Sequence, residues 1–436
     1  MPDTAEKVTT SQVSGIRSGL DNMKVIIAPV DLKIGMYVSE LDRPWIQTPF
    51  LFQGFRITND DEIKQINSLC DFVFVDTEKS TILVPETRAV TDEDALRDTE
   101  QVTARIIKLA EPYRNTLEDE YPIALGIYHH AKDMVGGLFN DARMGKTLDV
   151  EETRRVVNQM VDSILRNPDA LVLLDSLIKK NDALVAHAIT VCTLSLSFGR
   201  YIGLDKATLA DLGMGALIHD IGETKLPDRL LTDSEDLSDE DRALLQTHTR
   251  IGTMIVSKLQ GTSDRVLAIV RDHHERADGS GYPGKIVNSK LEICTRVVSI
   301  IDSYDSITSG AHGREKISLD MALKYIYSWR ERLFDRLLVE KFIQCLGIYP
   351  IGSTVELRSG HIGMVISSQP NARLFPKVLL ILDADGKMLE PPKTMNLALF
   401  RDKGGEDTGY EVKRLVDPQS YNIDIRGIVL RELAAA

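Results

Sequence analysis

Cysteine is scarce in this chain: Cys70, Cys192, Cys294 and Cys345 lie far apart and form no CxxC pair. That spacing excludes a disulfide framework and a zinc knuckle, and leaves the thiols to be read as small buried hydrophobes. Long apolar runs are missing too. Stretches such as 26–30 and 378–382 are far too short to span a bilayer, and no signal-peptide type of hydrophobic stretch stands near the start. The expectation is a cytoplasmic protein without a membrane span. A basic excess is also lacking: a formal net charge of −13 repels a polyanion and argues against a broad surface for long nucleic acid. A small phosphate ligand stays open, because divalent metals can make a pocket locally positive whatever the global charge.

What is present is an ordinary globular balance, 43% apolar and 27% charged over 436 residues, which gives room for two or three domains. Residues 1–22 are polar, without periodicity, and read as a loose tail. Residues 23–85 carry short β-type runs, 25–30 and 72–75, broken by Asp31, Gly35, Pro44 and Pro49, and read as a small strand-rich domain. Residues 86–160 are helix-prone and read as a helical linker region. Residues 161–346 read as an all-α bundle. From residue 347 to 436, β runs at 353–357, 363–367 and 377–382 suggest a small barrel-like β module. The fold class is therefore multidomain, with a central helical bundle between two strand-rich modules.

Five of the nine histidines fall between positions 187 and 274, each on a segment of helical apolar spacing. Leu184, His187, Ala188, Val191, Leu194 and Phe198 share one face. Leu209, Leu212, Gly213 and Ala216 lead to His219 and Asp220, where Gly222 ends the helix. A helix opened by a Ser238–Asp241 capping box carries Leu245, His248, Ile251 and Ile255 up to Gly261. Another, capped by Ser263, delivers His273 and His274, and a further one carries Ile301, Asp302 and Asp305. One inward histidine is usually a hydrogen-bonded core residue. Five imidazoles and several carboxylates on the inner faces of one bundle need compensating partners, and metal ions supply them. Imidazole mixed with carboxylate suits iron, manganese, zinc or cobalt, and seven ligands exceed one tetrahedral zinc.

The motifs His187, HDIGETKLPD from His219, HTRIG from His248, HHERADGSGYPG from His273 and DSYDSITS from Asp302 resemble, in order, those of the HD-GYP subgroup of HD-domain metallohydrolases. These are bacterial cyclic di-GMP phosphodiesterases, and the resemblance covers roughly residues 160–346. Residues 25–76, with GMYV, PWIQTPFLFQGF and FVFVD, are similar to the uncharacterised domain that often precedes HD-GYP, and IYPIGSTVEL to its C-terminal extension. The resemblance implies an HD-type bundle whose His187, His219, Asp220, His248, His273, His274 and Asp302 ligate two divalent transition metals, iron or manganese, bridged by Asp220. Ala183 stands where some members carry a glutamate for a third metal. It further implies that a metal-bridging hydroxide cleaves cyclic di-GMP to pGpG, with GMP as a further product, and that Asp220 and His219 are central to catalysis. Asp278, Gly279, Gly281, Tyr282 and Pro283 of the GYP loop are expected to shape the substrate pocket, and Lys225 and Arg314 to touch phosphate.

Departures at two places bear on activity. Glu223 replaces the lysine expected after HDIG, and Ala311, His312 and Gly313 replace most of a basic phosphate-binding stretch, of which Arg314 survives. A lost charge-assisted contact costs on the order of 1.5–3 kcal/mol. The alternatives are therefore a metal-bearing sensor or interaction module for the nucleotide, and a hydrolase of another phosphate ester. A homodimer and protein partners at the N-terminal domain are further expectations. Set aside are His129 and His130, read as a solvated helix face, His312 and His361, read as surface loops, and the acidic stretch 92–120, read as a solvated helix. The aromatics of GMYV and PWIQTPF fit a partner surface or a β core equally well.

Overall fold

The computed structural model describes residues 24–27, 29, 32–41, 55–69, 73–76, 79–82, 113–178, 182–232, 238–310, 316–330, 332–368, 375–400, 409–421 and 423–435. The chain divides into two compact units, Met1–Val90 and Thr91–Ala436.

In the first unit β1 (Lys24–Ile27), β2 (Tyr37–Leu41), β3 (Phe55–Arg56) and β4 (Val73–Asp76) form one antiparallel sheet in the order β1-β4-β2-β3. Its core contains Leu32, Met36, Val38, Ile57, Ile66, Val73 and Val75. A helix that the strand-rich reading did not contain, α1 (Asp60–Leu69), joins it through Ile66. Its start is specified locally: Asn59 Oδ1 accepts from the amides of Asp61 and Glu62, and Glu62 accepts in return from the Thr58 amide. Of the aromatic segments, GMYV contributes buried Met36 and Val38, whereas PWIQTPF lies outside the described residues.

The second unit is built on helices α2 (Leu117–Met144), α3 (Val150–Arg166), α4 (Pro168–Leu177), α5 (Ala183–Tyr201) and α6 (Lys206–Ile218). Thr116 caps α2 by accepting from the Asp119 amide, and Gly145, at φ +71°, ends it. The helical stretch read across 150–178 is broken at Asn167, which closes α3 and caps α4, with Pro168 in the first turn where its missing N–H costs nothing. The acidic stretch read as a solvated helix lies outside the described residues up to position 112; beyond it, Glu120 of α2 is buried against Arg166, Ser163 and Asn115.

A short 3-10 turn, Ile221–Lys225, and α7 (Arg229–Thr232) lead to α8 (Asp239–Gln246) and α9 (His248–Val256). These last two were read as one helix. The break falls at Thr247, whose hydroxyl turns back to the Leu244 carbonyl, and it makes His248 the first residue of a new helix. Then follow α10 (Asp264–Asp272), α11 (Ile293–Ser309), α12 (Leu319–Ser328) and α13 (Arg336–Leu346). Helix α5 is long and apolar enough to cross a bilayer by composition, but 67% of that window is buried inside the unit, where it is the central strut. Cys192 and Cys294 are buried, Cys345 is half-buried, and Cys70 lies outside the described residues.

The C-terminal sheet consists of β5 (Thr354–Leu357), β6 (Ile362–Ser367), β7 (Lys377–Leu382), β8 (Met388–Asn396) and β9 (Val412–Leu415), in the order β8-β7-β6-β5-β9. Its edges do not pair with each other in the described ladders, so it is an open sheet rather than the barrel expected. Strand alternation divides its side chains: Ile362, Met364, Ile366, Leu379 and Ile381 join the helical core, while Val365, Val378 and Leu380 pack in a second cluster with Val355 and Leu357. A final helix, α14 (Ile425–Ala435), packs on α2, α4 and β7.

Candidate metal centre

Each helix end delivers one or two polar side chains to a common point. Helix α5, capped by Asp182, places His187 one turn in. Helix α6 stops at Ile218, so His219 and Asp220 sit in the turn that follows. That turn lies against α9 so closely that a Cβ on Gly222 would collide with the His248 carbonyl, leaving only glycine there. Helix α9 begins with His248, α10 ends into His273 and His274, and α11 supplies Asp302 and Asp305.

Three imidazoles are held by carbonyls of the helix that precedes each of them. Nδ1 of His219 donates to the Ala216 carbonyl at 2.8 Å, that of His248 to Leu245 at 2.7 Å, and that of His273 to Ile269 at 3.1 Å. With the proton committed to Nδ1, each Nε2 presents a lone pair inward. His187 faces the other way: its Nδ1 contacts Asp305 Oδ2 at 2.6 Å, and its Nε2 lies 3.2 Å from Asp302 Oδ1 and 3.5 Å from Asp220 Oδ2.

Asp220 is central. Its Oδ2 lies 3.1 Å from His219 Nε2, and its Oδ1 lies 3.4 and 3.3 Å from Nε2 of His248 and His273. The donors fall into two groups, each with its atoms within 4.8 Å of one another: Asp220, His248, His273 and His274, and His187, His219, Asp220 and Asp302. Asp220 belongs to both. The Nε2 atoms of His248 and His273 stand 3.3 Å apart, lone pair toward lone pair, and His219 Nε2 and Asp220 Oδ1 are buried without a hydrogen-bond partner. A cation converts these repulsive approaches into coordination. A proton does not do so readily at His248, whose pKa burial depresses to about 4. The residues therefore fit divalent metal ions, and thiolate-free imidazole and carboxylate donors suit first-row ions.

Charge is balanced within the cluster. Burial opposes ionisation of Asp220, yet His219, His273 and His248 outweigh it and hold the carboxyl well below the usual range. Asp302 is likewise held low against burial, by His187 and His274. Burial and the charge of Asp220 push Glu223 well above the usual carboxyl range.

The substrate loop expected at 278–284 lies directly on this cluster. Tyr282 stacks on His274 with ring centroids 4.7 Å apart, and a Cβ on Gly281 would lie 2.5 Å from backbone atoms of His274, Glu275 and Arg276. Gly279 adopts φ +76°, and Pro283 is exposed. Two residues that the sequence reading left without a role hold the loop. Glu275, 1% exposed, accepts the amides of Gly284 at 2.5 Å and Ile286 at 2.9 Å. Arg276 donates to Ser299 at 2.6 Å and stacks on Phe334. Asp305, which orients His187, is a third. Its signal was visible, three residues after Asp302 on the same helix.

Lys225 is exposed and its ammonium donates to the Arg143 carbonyl at the end of α2, 2.9 Å away. Ala311, His312, Gly313 and Arg314 lie outside the described residues. His129 and His130 are exposed, His130 pairing with Glu152, and half-buried His361 contacts Ser359.

Residues 172–338 match the family model described as HD domain, and residues 25–153 match the one described as Domain of unknown function (DUF3391). This chain contains an HD domain. Its HD domain spans α4 to the first residues of α13 and contains all seven clustered donors. Over 373 residues the chain is 29% identical to the Pseudomonas aeruginosa protein named cyclic di-GMP phosphodiesterase PA4108, covering 85% of this chain and 88% of that relative. Over 144 residues the chain is 33% identical to the cyclic di-GMP phosphodiesterase response regulator RpfG of Xanthomonas campestris, covering 33% of this chain and 38% of the relative. A Vibrio cholerae protein named 3'3'-cGAMP-specific phosphodiesterase 1 is 25% identical over 193 residues, 44% of this chain and 42% of that one. Among solved structures, Bd1817, an HDG"Y"P protein from Bdellovibrio bacteriovorus, aligns with a TM-score of 0.44 at 18% identity, covering 73% of this chain and 98% of that chain.

Proposed function

We propose that this HD-domain protein is a phosphodiesterase that uses two divalent metal ions, iron or manganese, to hydrolyse cyclic di-GMP to pGpG, and pGpG further to GMP. One observation carries the reading: two donor groups share the Asp220 carboxylate, with imidazole lone pairs turned toward one another. Bound there, two cations supply Lewis acidity toward a phosphoryl oxygen and make a water acidic enough to attack phosphorus near neutral pH. The protein's part is preorganisation. The helix-carbonyl bonds of His219, His248 and His273 and the Asp305 bond of His187 fix tautomer and ring orientation before substrate arrives. Tyr282, stacked on His274, closes one wall and offers a phenol face to a base or sugar. No side chain is asked to form a covalent intermediate.

Substrate identity is supported by the names of the relatives, most of all the one that matches over 85% of the chain. A second cyclic dinucleotide, 3'3'-cGAMP, is the competing substrate, because two relatives named for it match this chain over 193 and 163 residues. Phosphate contacts rest on Arg314, and on Lys225 only if its ammonium leaves the Arg143 carbonyl. The same reading places the chain in the cytoplasm, which the unpaired thiols of Cys192 and Cys294 support.

The test is chromatography of cyclic di-GMP and 3'3'-cGAMP incubated with manganese- or iron-loaded protein and with an Asp220→Ala control. Cyclic di-GMP converted to pGpG by the intact chain and not by the control is the expected result. Metal-loaded protein that binds cyclic di-GMP and leaves it intact would make the chain a sensor.

A further inference from the structure

We infer that Glu223 is a substrate-binding residue that accepts a hydrogen bond from the ribose 2'-hydroxyl beside the phosphorus under attack, and so makes the site selective for ribonucleotide over deoxyribonucleotide phosphodiesters. The inference rests on the phosphodiesterase reading above. Glu223 sits in the 3-10 turn that carries Asp220, with its amide bonded to the Asp220 carbonyl at 2.9 Å, and it is only 6% exposed. Among the described residues nothing hydrogen-bonds or ion-pairs with its carboxyl, although both oxygens still reach solvent. It belongs to neither metal-donor group. The charges acting on it most strongly are those of Asp220, His187 and Asp302, all of one donor group, and it in turn acts on the Tyr282 phenol. The carboxyl is therefore within electrostatic reach of that half of the centre and of Tyr282.

A largely buried carboxyl that has only water as a partner is free to take one from a ligand. Cations bound at the neighbouring donors would offset the charge of Asp220 and leave the group ionised; a carboxylate is an acceptor, so its partner is a donor, and a phosphate oxygen is excluded because it repels the group. Within reach of a phosphorus held at the cluster, the nearest donor on a ribonucleotide is the 2'-hydroxyl adjacent to the 3'-phosphate; base edges lie farther out. A site built to hydrogen-bond a hydroxyl discriminates strongly against the analogue that lacks it.

The experiment compares kcat/KM for cyclic di-GMP and for its 2'-deoxyribose analogue in metal-loaded wild type, Glu223→Gln and Glu223→Ala. Wild type is expected to prefer the ribose form by about tenfold or more. That preference should shrink toward unity in Glu223→Ala and persist in part in Glu223→Gln, whose amide oxygen still accepts. Equal use of both substrates by wild type overturns the inference without any variant, and an undiminished preference in Glu223→Ala overturns it as well. If wild type cleaves neither form while holding its metals, it is the phosphodiesterase reading that fails, and the inference falls with it.

Discussion

At the scale of single residues, the centre is set by hydrogen bonds that point away from it. Each imidazole is aimed by what its outer nitrogen touches, a helix carbonyl for His219, His248 and His273 and the Asp305 carboxylate for His187. Glu275 does the corresponding work for the substrate loop. Replacing it by glutamine keeps the shape and one acceptor but turns an N–H toward a loop amide, which leaves a buried donor unpaired. Glu275→Gln is expected to lower stability by about 1–3 kcal/mol, seen as a lower denaturation midpoint, and to raise KM while metal content stays the same. An unchanged KM would mean that the loop does not need this clamp. The clustered histidines and aspartates were legible in the sequence through inward helical spacing, and the family resemblance named the seven donors among them. Glu275 was not assigned, since a carboxylate one residue beyond a ligand carries no periodic signal, and Asp305, visible one turn along from Asp302, was given no role. Glu223 was noticed only as a replaced charge; its burial and lack of a partner are properties of the folded turn.

At the scale of elements, the caps at Ser238 and Ser263 were legible in the chain, and the errors elsewhere have physical reasons. The Ser238 start was read correctly, but the helix breaks at Thr247 and its second part ends at Val256, five residues short of the Gly261 expected to stop it. The break is imposed by packing of the Gly222 turn on α9 and not by any breaker residue. Helix α14 was missed although Ile425, Ile428, Val429 and Leu433 repeat at helical spacing, because the preceding strands suggested an all-β module.

The seam between α4 and the C-terminal sheet offers a pH-dependent test. Asp169 accepts from Ser367 at 2.6 Å and the Ser368 amide at 3.2 Å, and burial pushes its pKa up to about 6. A carboxyl raised above its ordinary 3.8 binds its proton more tightly when folded. Its contribution is complete below about pH 4 and is lost as pH rises through about 6. Relative to Asp169→Asn, which does not titrate, wild type should therefore lose on the order of 3 kcal/mol between pH 4 and 7, measured by denaturant melts. A difference that does not vary with pH would show that the carboxyl is not desolvated in the folded chain.

At the scale of the whole molecule, the metal centre is only as rigid as the core behind it. Phe342 of α13 packs edge-on against Phe198 of α5 and Tyr304 of α11, each 5.4 Å away between ring centroids, joining the helices that carry His187 and Asp302. Phe342→Ala is expected to cost about 3–5 kcal/mol and to weaken metal retention on heating, followed by calorimetry of the loaded protein. An unchanged melting temperature would place the rigidity elsewhere. The C-terminal sheet shares this core through Ile362, Met364, Ile366, Leu379 and Ile381. Sequence patterning found those strands but not their division between two clusters, because β6 and β7 are apolar on both faces and show no alternation.

The central claim is a binuclear centre joined by Asp220, and metal analysis of anaerobically purified, reloaded protein tests it most directly. The account predicts about two ions per chain, near zero in Asp220→Ala, and about one in His187→Ala, which spares the Asp220, His248, His273 and His274 group. One ion in the wild type, or two still bound after Asp220→Ala, would contradict it.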